Sequence, residues 1–285
     1  MRVSLNRETI TGERLFDSNF MVQGSVERLD LTWANQVLSG QLAAYRVRQF
    51  LSVEERTQIV KNFWCSKART PRYGEGEGGI EGYFVGASHI EKTTQEYLDQ
   101  VAFFKKPVDA IYEGSVDPLA RVREGFRKES MNVRAAIHDG RPAGDAKAVY
   151  WNNTGDYLLL PHDDLAQLSD PSQHGFEIQG VEHVMAMNFY ADMPSEGGQL
   201  KVWNIAPDND SRIKLGLEYS GFPYPVELLH EHAHLTIDLE AGDLVLLNGN
   251  LVHAVLGGSG ISARQRLLIT CFMGQLPTGE VVWWT

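Results

Sequence analysis

The chain has 285 residues, 43% of them hydrophobic and 22% charged, which excludes a disordered, collagen-like or coiled-coil protein. No run of about 18 apolar residues offers a membrane span, and the opening MRVSLNRETITGERLF lacks the apolar centre of a secretory signal. Twenty-six basic against 37 acidic residues give a net charge of −11, which argues against nucleic acid or an anionic membrane as partner but leaves room for a local basic pocket that takes a small anion. The two cysteines, Cys65 and Cys271, make neither a disulfide framework nor a CxxC metal site, and each reads as a small buried apolar residue. With no export signal the expected location is the reducing cytoplasm.

In chain order, LDLTWANQVLSGQLAAYRV reads as an amphipathic helix running into a strand near Tyr45–Val47. In FLSVEERTQIVKNFWC, Ser52 and Glu55 have capping-box spacing ahead of an apolar stripe of Ile59, Val60 and Phe63. The glycine-rich PRYGEGEGGIEG, residues 71–82, should hold neither helix nor strand. Helical patterns return at TTQEYLDQVAFF and VDPLARVREGF.

From residue 131 short runs with a period near two take over, separated by Gly, Pro, Asn and Asp. Strands are expected near 131–137, 147–152, 156–162, 183–192, 198–204, 234–239, 243–247, 250–256, 265–273 and 280–284. The expected fold is mainly β with flanking helices, a jelly roll of the cupin type. It forms a single domain over 1–285: a mainly helical flanking part (1–130) and a β core (131–285).

Nine histidines are present. His89, His138, His174, His230 and His232 stand in polar contexts and read as surface or hydrogen-bonded groups, and His183 and His234 merely open strands. His162 differs, because it ends the apolar run YLLLP ahead of Asp163 and Asp164. Residues i and i+2 of a strand share a face, so His162 and Asp164 project together while Asp163 points away.

His253 lies in a later apolar strand, after the turn Asn248-Gly249-Asn250. The glycine-rich loop 257–262 and Arg264-Gln265-Arg266 follow. If that loop closes a hairpin centred near Ser259-Gly260, Arg266 stands opposite His253 on the same face, with Arg264 one pleat nearer the loop. An inward arginine needs an anion or carboxylate to meet it, either a ligand or an internal Asp or Glu. Two histidines and one carboxylate form the facial set with open positions found in non-haem Fe(II) oxygenases.

These pieces resemble the Fe(II)/2-oxoglutarate-dependent dioxygenase superfamily. The matched segments are His162-Asp163-Asp164, GDLVLL with His253, RLLITCF from Arg266, and MNFYADMPSEGGQLKVW with its Gly197-Gly198 pair. They span roughly 131–275, about half of the chain, and FLSVEE is similar to the leading helix of the prolyl-hydroxylase-like branch. The resemblance implies a double-stranded β-helix in which His162, Asp164 and His253 bind Fe(II) and Arg266 pairs with the distal carboxylate of 2-oxoglutarate. Arg266 lies thirteen positions beyond His253, more than the family usually has, so Arg264 stands as a second candidate.

The layout also resembles stand-alone bacterial hydroxylases of free or N-acylated L-amino acids and the carrier-independent halogenases. Those halogenases carry Gly or Ala where this chain has Asp164, which favours hydroxylation over chlorination. The expected activity uses O2 and 2-oxoglutarate to hydroxylate an unactivated C–H bond of a small molecule, most of all an amino acid or N-acyl amino acid, releasing succinate and CO2. The alternatives are a hydroxylase of a natural product or nucleotide, a protein hydroxylase, and a metal-binding cupin that is not an oxygenase; the last would have no need of an inward Arg266. Residues 73–88 read equally as a lid or a surface loop, flanked by Arg72, Tyr83 and Phe84, which are placed to meet a carboxylate and an aliphatic chain. Tyr190 and Trp203 read as core. Trp283 and Trp284 either cap the barrel or form a homo-oligomer contact.

Overall fold

The structure is a computed structural model that describes residues 9–73, 80–152, 155–258 and 266–285. Two short strands, β1 (Gly12–Glu13) and β2 (Val22–Val26), precede helix α1 (Leu31–Leu38) and strand β3 (Ala44–Arg48). Helix α2 (Val53–Cys65) starts where its capping box predicts. The Ser52 hydroxyl accepts the Glu55 N–H and the Glu55 carboxylate accepts the Ser52 N–H, which satisfies two of the donors a helix start leaves open.

Strands β4 (Thr70–Tyr73) and β5 (Ile80–Val85) pair with each other and enter the glycine-rich stretch from both sides. This corrects the expectation that no strand persists over 71–82. The pairing of β5 with a core strand outweighs its poor local β-propensity, and residues 74–79 lie outside the described ones. Helices α3 (Thr94–Ile111) and α4 (Pro118–Lys128) follow, opened by the Thr93–Glu96 capping box and by Asp117.

The second half is almost all strand: β6 (Val133–Ala135), β7 (Ile137–His138), β8 (Arg141–Pro142), β9 (Lys147–Trp151), β10 (Tyr157–His162), β11 (Val184–Asp192), β12 (Leu200–Trp203) and β13 (Ala206–Pro207). A short helix, α5 (Asn209–Leu215), which no sequence pattern announced, leads to β14 (His234–Ile237), β15 (Leu244–Asn248), β16 (His253–Leu256), β17 (Arg266–Gln275) and β18 (Val281–Trp284).

A ten-stranded sheet runs β2-β3-β15-β11-β17-β9-β5-β4, with β18 and β6 attached beyond β17. A four-stranded sheet runs β10-β16-β12-β14. The period of two sorts the large sheet's side chains between its faces. Met185, Met187, Leu244, Leu246 and Ile269 meet Val37, Ile59, Phe63, Val122 and Phe126 of the helices. Val149, Trp151, Tyr190, Val245 and Leu268 meet Leu200, Val202 and Val255 of the small sheet. The protein is thus mainly β, with a helical layer on one face of a large sheet and a small sheet on the other.

Two expectations are corrected here. Strands β16 and β17 do not form a hairpin: β16 lies between β10 and β12 in the small sheet, and Arg266 of β17 pairs with Trp151. The reason is that His253 is already paired on both sides, to His162 and Val202, so β16 has no free edge. Cys271 is buried as expected, but Cys65, at the end of α2, is exposed. Trp203 and Tyr190 are core residues, and Trp283 and Trp284 are buried within this chain.

Candidate metal centre

His162 ends β10 and His253 opens β16, and the register sets them directly opposite each other. Asp164 follows two residues after His162, tied by its N–H to the Gly249 carbonyl at 2.8 Å. One ligand atom from each of the three lies within 4.8 Å of the others. The Nε2 atoms of His162 and His253 stand 3.9 and 3.5 Å from the two Asp164 carboxylate oxygens, and the imidazole centroids are 4.2 Å apart. All three side chains are buried, and among the described residues no other such cluster of His, Cys, Asp and Glu occurs.

The hydrogen bonds set the tautomers. Nδ1 of His162 meets the Leu160 carbonyl at 2.8 Å, and Nδ1 of His253 meets the Leu251 carbonyl at 2.9 Å. A carbonyl can only accept, so each Nδ1 carries the proton and each Nε2 presents a lone pair. Burial, reinforced at His162 by its neighbour His253, holds both imidazoles down at about 4. They are therefore neutral at pH 7, and their closeness to Asp164 is not ion pairing.

Burial pushes the Asp164 carboxyl up to about 7, and its Oδ2 is buried without a hydrogen-bond partner. Two free imidazole nitrogens and an unpartnered carboxylate oxygen are the donor set that a divalent cation satisfies. Gly249 belongs to the same construction. A Cβ there would sit 2.6 Å from Asp164 Oδ2, so glycine is required for the turn to approach the carboxylate. The turn is held by Asn250, whose side-chain oxygen accepts the Val184 N–H at 2.9 Å.

Asp163 points away from the cluster, as expected, but it is not a surface group. Its carboxylate accepts from Arg212, from the Tyr224 hydroxyl at 2.7 Å, and from the N–H groups of Leu165 and Ala166. Nothing local marks Arg212 or Tyr224, which lie 49 and 61 positions away.

Arg266 is 3% exposed and faces the space between the sheets. Its Nη2 donates to the Tyr190 hydroxyl at 3.4 Å, its guanidinium lies 5.1 Å from that ring's centroid, and its Nε has no partner. Among the described residues no carboxylate pairs with it, so the internal salt bridge does not form. Gly198 packs beside it, with a positive φ of 79° and Met193 Cε 2.9 Å from where a Cβ would sit. Arg264 lies outside the described residues. Of the flanking residues, Arg72 stacks 4.2 Å over Trp151, whereas Tyr83 turns to Trp64 and Tyr150 on the helical side. His89 is buried against Gln173, and His232 is buried as well. No described helix is long and apolar enough to cross a membrane.

The chain is similar to several known proteins. The family model of the carrier-protein-independent halogenase WelO5 matches residues 32–284. The chain is 30% identical over 248 residues to an L-isoleucine 3(1)-dioxygenase of Pantoea ananatis, covering 85% of this chain and 83% of that one. It is 28% identical over 174 residues to an L-gamma-glutamyl-L-propargylglycine hydroxylase of Streptantibioticus cattleyicolor, covering 59% of each. The crystal structure of an N-substituted L-amino acid dioxygenase from Burkholderia ambifaria shares the fold, with a TM-score of 0.58 at 11% identity over 89% of this chain and 91% of that one. The chain belongs to the family of the carrier-protein-independent halogenase WelO5.

Proposed function

We propose that the protein is an Fe(II)/2-oxoglutarate-dependent dioxygenase that hydroxylates an amino acid or N-acyl amino acid, with His162, Asp164 and His253 holding the iron and Arg266 the cosubstrate. The carrying observation is Arg266, a buried guanidinium without a carboxylate partner among the described residues. Such a group is costly to leave unmatched, and the far carboxylate of 2-oxoglutarate fits its fork.

The bound iron would supply the redox chemistry that couples oxidation of 2-oxoglutarate by O2 to insertion of one oxygen atom into a C–H bond. The chain's own residues do the rest. The Leu160 and Leu251 carbonyls orient the two imidazoles, Gly249 admits the Asp164 carboxylate, and the apolar residues between the sheets exclude water. The resemblance puts Asp164 at the position that is Gly or Ala in the halogenases, which supports hydroxylation. The names of the isoleucine dioxygenase and of the N-substituted amino acid dioxygenase support the substrate class.

The strand order supports a double-stranded β-helix: β9, β11, β15 and β17 lie in the large sheet and β10, β12, β14 and β16 in the small one. The incorporation of β2 and β3 into the large sheet supports one domain over the described residues. The test is succinate release by anaerobically purified protein given Fe(II), 2-oxoglutarate, O2 and a panel of free, N-acetyl and N-succinyl L-amino acids. Amino-acid-dependent succinate and a product heavier by one oxygen are expected. Release that no member of the panel stimulates would exclude the substrate class.

A further inference from the structure

Lys147 breaks the apolar pattern of a core strand. It opens β9 on the face that carries Val149 and Trp151, toward the small sheet. The register sets it opposite Thr270 of β17, and Thr270 opposite Asn188 of β11. These three polar side chains form a row across three adjacent strands of a sheet buried on both faces. All three are nevertheless partly exposed. A polar, accessible row at that place is where a sheet faces a binding space rather than packed side chains.

The ammonium of Lys147 is held by the Ser88 hydroxyl at 3.1 Å, and among the described residues no carboxylate pairs with it. Burial, then repulsion from Arg72 and Lys92, holds it down at about 8, while the attraction of Asp164 works the other way. It is still largely protonated at pH 7.

Charge counting then identifies the missing group. In the proposed complex the ferrous ion with Asp164 leaves one net positive charge, Arg266 adds a second, and the 2-oxoglutarate dianion neutralises both. Lys147 is a positive charge that this count does not use, and no carboxylate among the described residues pairs with it. We propose that Lys147, held by Ser88, binds a carboxylate of the substrate, so that this site selects amino acids and N-acyl amino acids that keep their carboxylate over neutral molecules. This rests on the proposed function and adds the residue that enforces its substrate class.

The test uses zinc-substituted protein with 2-oxoglutarate bound, which does not turn over. Calorimetry would compare L-isoleucine, L-leucine and N-acetyl-L-leucine with their carboxamides. Wild type should bind at least one acid tenfold or more tightly than its amide. Lys147→Met should remove that preference, and Lys147→Arg should restore much of it. In the iron enzyme, Lys147→Met should raise the KM for the amino acid while the 2-oxoglutarate KM stays unchanged.

A wild type that binds none of the acids, or binds acids and amides alike, overturns the proposal without any variant being needed. So does a Lys147→Met protein that keeps the preference. A rise confined to the 2-oxoglutarate KM would assign Lys147 to the cosubstrate and also overturn it. Acid-selective binding without succinate release would instead keep the carboxylate site and remove the hydroxylase reading.

Discussion

The Asp163 carboxylate and the Arg212 guanidinium meet at 3.0 Å with both side chains buried, one residue away from Asp164. The pair joins the end of β10 to α5, and Tyr224 and two backbone N–H groups complete the carboxylate's hydrogen bonds. Asp163→Asn removes the charge and leaves Arg212 buried without its partner, a loss expected to be about 3–5 kcal/mol. Urea unfolding measures it, and a change below about 1 kcal/mol would show the pair to be dispensable.

Asp164 is a local burden on the metal-free fold, because its buried Oδ2 has no partner and its carboxyl is pushed up to about 7. Asp164→Ala should therefore melt no lower than wild type without metal, yet lose the stabilisation that added Fe(II) or Zn(II) confers. Losing an outer-sphere partner alone costs about 10–100-fold in metal affinity, so losing a direct ligand should cost at least that. Gly249→Ala should likewise weaken the metal-induced stabilisation, by pressing on Oδ2 from 2.6 Å, and should also lower the melting temperature of the metal-free protein. Undiminished metal-induced stabilisation in both variants would remove Asp164 from the centre.

Arg266→Ala should raise the 2-oxoglutarate requirement, because a hydrogen bond to a charged group contributes about 1.5–3 kcal/mol, or roughly 10–150-fold in affinity. The substrate KM should move little. Steady-state kinetics with each ligand varied separates the two, and an unchanged 2-oxoglutarate KM rules out Arg266 as its anchor.

His89 gives a pH dependence that does not involve the metal ligands. Burial holds its imidazole down at about 4, opposed by the Gln173 hydrogen bond. Its folded value lies below its unfolded value of about 6.5. Below pH 6.5 the unfolded chain therefore binds a proton that the native state refuses, and stability falls as pH drops toward 4. At pH 5 this destabilises the protein by about 2 kcal/mol. In denaturant titrations at pH 7.5 and pH 5, His89→Asn should lose less stability between the two than wild type does. Equal losses would mean that His89 is protonated in the native state.

Much of this molecule was legible along the chain. The helix start at Ser52 rests on side chains three residues apart, and the strands from 147 onward rest on a period of two. Both are local rules that the fold had no reason to override. His162 and Asp164 share a strand end, so their pairing could be read from spacing alone. Other features had no local signal. Arg212 and Tyr224 come to Asp163 from distant segments, and Gly249 reads as an ordinary turn glycine until the carboxylate beside it is placed. Lys147 reads as a polar residue on a strand until the register shows which face it is on.

The residue types of the centre and the boundaries of its strands follow from the chain's own pattern, because hydrophobic period and side-chain chemistry are carried by near neighbours. Which strand lies beside which was decided only in three dimensions. A hairpin between β16 and β17 suited the loop, but His253 had already taken partners on both edges, so Arg266 was carried to the opposite sheet. Backbone hydrogen bonds saturate: a strand paired on both sides accepts no third neighbour, and that constraint cannot be seen until the whole sheet is assembled.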